Sequence, residues 1–263
     1  MPCCCRGQIR CKPVRDPSPV TPLPPVRPQL SESGRAGLPR GRFLVLEGID
    51  GCGKTTQIAA LAQWLPASGL LPSGAELLVT REPGGTALGQ ALRQLLLHPP
   101  GEAAPEPTAE LLLYAADRAQ HVRQQIAPAL EAGHWVLSDR FSGSTAAYQG
   151  YGRGLSLALI DQLERIATAD LQPDLTLWLD LPLAESRRRL GARAADRIES
   201  AGDAFLERVC AGFAALAAQR GWGRLDASLA PEPLFAAIGA LLLQRFGGMP
   251  PAGPQAHGLE ASP

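Results

Sequence analysis

The chain has 263 residues, 45% of them hydrophobic, and its 25 basic and 25 acidic side chains cancel. That length and apolar content suffice for one main domain around a single core. Zero net charge offers no broad basic field and argues against a nucleic-acid polymer as partner; no apolar run approaches the ~18 residues of a membrane span, the longest being LFAAIGALLL.

Residues 1–40 stand apart, rich in proline, arginine and serine and without helical or strand period, and read as a disordered extension. They lack the apolar stretch of a secretory signal. Cys3, Cys4, Cys5 and Cys11 fall there at spacings that match no zinc pattern, while Cys52 and Cys210 lie far apart in the rest of the chain. This cysteine usage suits a reducing cytoplasm.

The first predicted element is a buried strand over 43–46, FLVL, followed by Gly48 to Thr55, G-I-D-G-C-G-K-T. That octet fits G-x-x-x-x-G-K-[ST], the phosphate-cradling P-loop. Behind it, Ile58, Leu61, Ala62 and Leu65 recur at helical spacing, so a helix over 55–65 is expected. Strand, glycine loop and helix give the motif its required setting. Successive backbone N–H groups of Gly48, Ile49, Asp50, Gly51, Cys52, Gly53, Lys54, Thr55 and Thr56 can point at an anion beside the helix's positive end. Lys54 would reach the β and γ phosphates and the Thr55 hydroxyl would ligate Mg²⁺. The chain's only lysines are Lys12 and Lys54; every other basic residue is arginine, so a lysine here is not incidental.

Further strands are expected at 76–80, 135–139, 175–180 and 223–227. Helices are expected at 87–97, 108–132, 155–168, 182–194, 203–220 and 231–245. The tail over 247–263 reads as disordered. Such alternation predicts an α/β fold with a parallel sheet covered on both faces, and ligands at the carboxyl ends of its strands. The first three strands run directly into EGIDG, TREPGG and SDRFSG.

EGIDGCGKTTQ, TREPGGT, LLLYAADRAQHV, DRFSGSTAAYQGYGRGL and ADRIE occur in one order along the chain. Over residues 42–245 their sequence and spacing resemble the bacterial thymidylate kinases. The resemblance implies a P-loop NTPase fold with a five-stranded parallel sheet, in a domain over 41–246 with a lid around 187–200. It also implies a homodimer, and transfer of the ATP γ-phosphate to dTMP. Asp50 matches the family aspartate between acceptor phosphate and metal. Arg81 and Arg140 resemble arginines that grip the monophosphate, for which a planar guanidinium is suited. Tyr114 and Arg118 lie four apart on one helical face. The family places there an aromatic that stacks on thymine, usually Phe, and an arginine near base and phosphate. Thr145 and Gln149 resemble side chains that read thymine edges, and Tyr148 the residue that crowds the sugar's 2′ position. Gly51 in the loop resembles the family type that draws a transition-state arginine from the lid. Arg189, Arg193 and Arg197, at spacings of four, would align along one helical face, and Arg193 and Arg197 are the catalytic candidates. Asp196 and Glu199 are candidates for holding the lid or the metal. The alternatives are a kinase for another nucleoside or nucleotide, which turnover of thymidine without dTMP would reveal, and a non-catalytic nucleotide binder, which binding without turnover would reveal.

Overall fold

The computed structural model describes residues 38–101, 104–191 and 196–247. Five parallel strands, β1 (Phe43–Glu47), β2 (Leu77–Arg81), β3 (Trp135–Asp139), β4 (Leu175–Asp180) and β5 (Gly223–Asp226), form one sheet in the order β2-β3-β1-β4-β5. All five residues of β1 are buried. Side chains alternate across a strand, and β1 feeds both faces: Leu44 and Leu46 enter the larger core cluster, Phe43 and Val45 the smaller one on the opposite face. Each such side chain stabilises the fold by roughly 1.5–3 kcal/mol.

The helices are α1 (Lys54–Trp64), α2 (Ala87–Leu97), α3 (Pro107–His121), α4 (Ala127–Glu131), α5 (Ser142–Thr145), α6 (Leu157–Thr168), α7 (Leu183–Leu190), α8 (Asp203–Arg220) and α9 (Pro231–Phe246). Local chemistry sets their ends. The Thr86 hydroxyl accepts the Gly89 N–H at 3.0 Å and starts α2, Ser156 caps α6 in the same way, and Pro107 and Pro231 occupy first-turn positions of α3 and α9.

Two expectations need correction, and one helical stretch goes beyond them. The helix expected over 108–132 is not uniform. Pro128 has no N–H to return to the preceding turn, and Val122–Ile126 widens into a π-helical turn in which Ala127 N–H reaches Val122 O. The helix expected over 182–194 stops at Leu190, because Gly191 takes φ 59°, ψ −142°. Arg189 and Arg197 therefore do not share a helical face; Arg193, the third of that set, lies outside the described residues. Finally, 142–152 is helical, as α5 and a π-helical stretch from Ala146 to Gly152. Its glycines and serines disguise it, and the buried Glu47 carboxylate supplies its N-terminal acceptor, taking the Phe141 and Ser144 N–H groups at 3.0 Å each.

Strand register brings the functional ends together. Leu46 pairs with Asp139, and Asp139 with Arg81, so β1, β2 and β3 finish side by side. Upstream, Leu38 and Pro39 lie against Gly133, and Arg40 and Arg42 both donate to Asp174. Residues 1–37 and 248–263, where most of the two predicted disordered segments fall, lie outside the described residues.

Candidate active site

Beyond β1 the chain turns through Gly48, Gly51 and Gly53 at φ 141°, 76° and 95°, backbone geometry that side-chain-bearing residues resist. The turn delivers α1 with no acidic residue in its first turn, leaving the dipole's positive end unneutralised. Lys54 is buried, its Nζ 3.0 Å from both Gly48 O and Ile49 O and 3.6 Å from Cys52 Sγ. Ile49 and Cys52 send their side chains into the core. Thr55 and Thr56 are exposed at the start of α1.

Arg140 follows β3 at φ 71°, a left-handed conformation that is strained for arginine. Its side chain is fixed on four sides. It donates to Gly48 O at 2.9 Å, Ser144 Oγ at 3.0 Å and Asp50 Oδ1 at 2.8 Å, and it stacks 5.3 Å from the Tyr148 ring centroid. Burial works against its charge, but Tyr148, Asp50, Asp139 and Glu47 outweigh that and hold the guanidinium firmly protonated. Tyr148 donates to Asp50 Oδ2 at 3.4 Å, and burial and the Asp50 charge keep its hydroxyl protonated. Asp139 Oδ1 is buried without a hydrogen-bond partner at the same strand ends.

Beside the P-loop, a pocket is lined by Asp50, Pro83, Arg93, Tyr114, Arg118, Arg140, Thr145, Tyr148, Gln149 and Asp196. Seven residues expected to hold the acceptor share this wall: Asp50, Tyr114, Arg118, Arg140, Thr145, Tyr148 and Gln149. Arg81 ends β2, exposed. Arg118 is not a free cation. Its side chain is buried, donating to Glu82 at 2.7 Å and Thr145 at 2.9 Å and pairing with Glu164. Burial lowers its pKa, and Glu164 and Glu82 reverse that effect and raise it. Arg118 is thus a rigid element of the pocket's floor. Arg197 donates to Leu96 O at 2.8 Å and pairs with Glu110. Arg189 pairs with Glu185 and reaches Gly51 O at 3.5 Å. Arg193 and the side chain of Glu199 lie outside the described residues.

Sequence reasoning missed Arg93. On α2 it lines the pocket and donates to Pro83 O at 3.0 Å. Burial lowers its pKa, and the charges of Arg81 and Arg140 lower it further. Three guanidiniums within electrostatic reach of one another make a site for a multiply charged anion. A signal was present, because Arg93 is the sole charged residue of α2.

A family model described as thymidylate kinase matches residues 46–238. The chain belongs to the thymidylate kinase family. The thymidylate kinase of Prochlorococcus marinus (strain MIT 9313) is 68% identical over 207 residues, which are 79% of this chain and 96% of that protein. That of Synechococcus sp. (strain RCC307) is 70% identical over 193 residues, 73% of this chain and 91% of its relative. The crystal structure of thymidylate kinase from Ehrlichia chaffeensis superimposes with a TM-score of 0.63 at 32% identity, covering 78% of this chain and 99% of that one. The P-loop fold and its five-stranded parallel sheet are thus those of the thymidylate kinases.

Proposed function

We propose that this chain transfers the γ-phosphate of ATP to dTMP, giving ADP and dTDP. The observation that carries the reading is the pairing of a P-loop with an arginine-lined pocket across one shared residue, Asp50, in a chain of the thymidylate kinase family. The backbone from Gly48 to Thr56 receives the donor's phosphates, with Lys54 swinging from the loop carbonyls onto the β and γ groups. Arg81, Arg93 and Arg140 grip the acceptor monophosphate. One of its oxygens bonds to the γ-phosphorus in line as the bond to the β-phosphate oxygen breaks. Charge spreads over the equatorial oxygens, so the protein's task is positioning and electrostatic stabilisation. Arg140 supplies this from a fixed position, and Lys54 supplies it once it has swung onto the phosphates. Arg193 and Arg197 are the candidates for the remaining positive charge.

Tyr114 and Arg118 flank the base, and Thr145 and Gln149 face its edges. Tyr148, held by Asp50 and Arg140, crowds the sugar where a ribose would carry its 2′-hydroxyl. The donor chemistry also suits a divalent cation: Asp139 Oδ1 is buried and unpartnered at the end of β3, and Asp50 and Thr55 follow β1, the strand beside it. Mg²⁺ held by Thr55 and Asp50, with Asp139 and Glu199 as further candidates, would neutralise charge on the donor's β and γ phosphates.

The same reading includes a homodimer. Leu112 on α3 and Leu159 and Ile166 on the adjacent α6 are 54%, 50% and 75% exposed, an apolar face suited to a second copy. The free thiols Cys52 and Cys210 fit the reducing cytoplasm.

The test is ADP formation from ATP and Mg²⁺ with dTMP, thymidine, dUMP, dCMP and dGMP as separate acceptors. Strong turnover with dTMP, falling on the order of 10²–10³-fold in Lys54→Ala, is expected. ATP binding without turnover on any acceptor would refute the reading.

A further inference from the structure

Glu110, in the first turn of α3, is fully buried. Its Oε1 lies 2.7 Å from Gln149 Nε2 and 3.3 Å from Arg153 Nε, and its Oε2 lies 3.1 Å from Arg153 Nη2 and 2.5 Å from Arg197 Nη2. Guanidinium N–H groups can only donate, so both Glu110 oxygens act as acceptors. The third partner on that carboxylate must donate as well, and of the two arms of a glutamine amide only the NH₂ can. Turning the amide over would set its carbonyl oxygen against a carboxylate oxygen. Gln149 is thereby fixed in one of its two flip states, NH₂ toward Glu110, with the carbonyl arm left for the pocket that Gln149 lines.

We propose that Glu110 is a specificity-determining positioning residue: by locking the Gln149 amide, it makes the acceptor site select pyrimidines that carry a hydrogen on N3 over those whose N3 is a bare acceptor. The proposal rests on the dTMP-kinase reading above. Thymine and uracil present N3–H, a donor matched to Gln149 Oε1. Cytosine presents a lone pair at N3, so two acceptors would face each other. A site built around one hydrogen bond rejects a partner that cannot make it far more strongly than shape alone allows. Arg153 and Arg197 contribute indirectly, by keeping both Glu110 oxygens occupied as acceptors. Arg197, within residues 187–200, also joins the lock to that segment.

The experiment compares kcat/KM for dTMP, dUMP and dCMP in the wild-type chain and in Glu110→Gln, whose side chain can donate as well as accept and so releases the lock. The dTMP-to-dCMP ratio is expected to fall at least about tenfold, while the dTMP-to-dUMP ratio stays within about twofold, because both of those bases carry N3–H. A merely structural role would lower all three alike, and two unmoved ratios would overturn the proposal. Glu110 acts through Gln149, so in a Gln149→Leu background Glu110→Gln should produce no further change in the dTMP-to-dCMP ratio; a further fall would also overturn it. If Glu110→Gln does not fold, the wild-type chain still provides a test. The side-chain NH₂ protons of Gln149 should exchange with solvent at least about tenfold more slowly than those of an exposed glutamine, and equal exchange would overturn the lock. Turnover of none of the three nucleotides would refute the function itself, whereas dTMP turnover with unmoved ratios refutes this inference alone.

Discussion

Asp117 accepts the Gly84 N–H at 3.1 Å through Oδ1, while its Oδ2 is buried with no hydrogen-bond partner. Burial, reinforced by the Glu82 charge, pushes its pKa from 3.8 up to about 6. A carboxyl with a raised folded-state pKa binds its proton more tightly in the native chain than in the unfolded one. Its stabilising contribution is therefore full below the unfolded value and is lost as pH rises through about 6. At ~1.4 kcal/mol per pKa unit, the change is roughly 3 kcal/mol. Asp117→Asn keeps an acceptor for Gly84 and removes the titration. Urea midpoints taken between pH 4 and 7 should show wild-type stability falling relative to Asp117→Asn as pH rises, and parallel curves would contradict the assignment. The neighbouring Glu82 moves the other way. Burial raises its pKa, but Arg118 and His121 outweigh burial and lower it, so its contribution is lost only toward lower pH.

At the scale of elements, the loop after β2 is pinned between α2 and α3. Asp117 holds Gly84 from α3, Arg93 holds Pro83 from α2, and α2 can approach this closely because Gly89 has no side chain. A Cβ there would stand 2.2 Å from Asp117 Oδ1 and 3.2 Å from the Gly84 backbone. Gly89→Ala should cost about 1–3 kcal/mol and raise KM for dTMP more than it changes KM for ATP, since the P-loop lies on another strand. Steady-state kinetics and thermal melts check both halves. Equal changes in the two KM values would show that the loop is not held this way.

Legibility in the sequence followed the same division. The P-loop, the five strands and the ends carrying Arg81, Asp139 and Arg140 could be read because apolar period and glycine placement are local signals. The helical stretch over 142–152 could not, because it is stabilised by Glu47 from another strand and composed of residues that ordinarily mark loops. Arg93 and Glu110 stayed hidden for a related reason: each looks like an ordinary helix charge until the fold carries Arg93 to the pocket wall and sets Glu110 against Gln149. Arg118, by contrast, is legible as a helix residue beside Tyr114, but its immobilisation by Glu82 and Glu164, which come from other elements, has no local signal.

Two parts of the molecule beyond the pocket bear on assembly and stability. Ile166→Glu places a charge on the apolar face of α3 and α6 and should convert a dimer to a monomer in light scattering; an unchanged mass would remove this face as the contact. The second is residues 1–37. The Prochlorococcus relative is matched over 96% of its length by 79% of this chain, and the family match begins at residue 46. Deleting 1–37 should leave kcat/KM nearly unchanged and shift Tm by less than ~2 °C. A large loss of either would show that the segment belongs to the fold.

In this reading phosphoryl passes directly from a nucleotide on the P-loop to a monophosphate held by arginines. Following γ-labelled ATP with dTMP, in the wild type and in Lys54→Ala, tests it most directly. Label appearing in dTDP in step with ADP, and lost with Lys54, is the predicted result; label released as inorganic phosphate, or left on ATP while dTMP is bound, would contradict it.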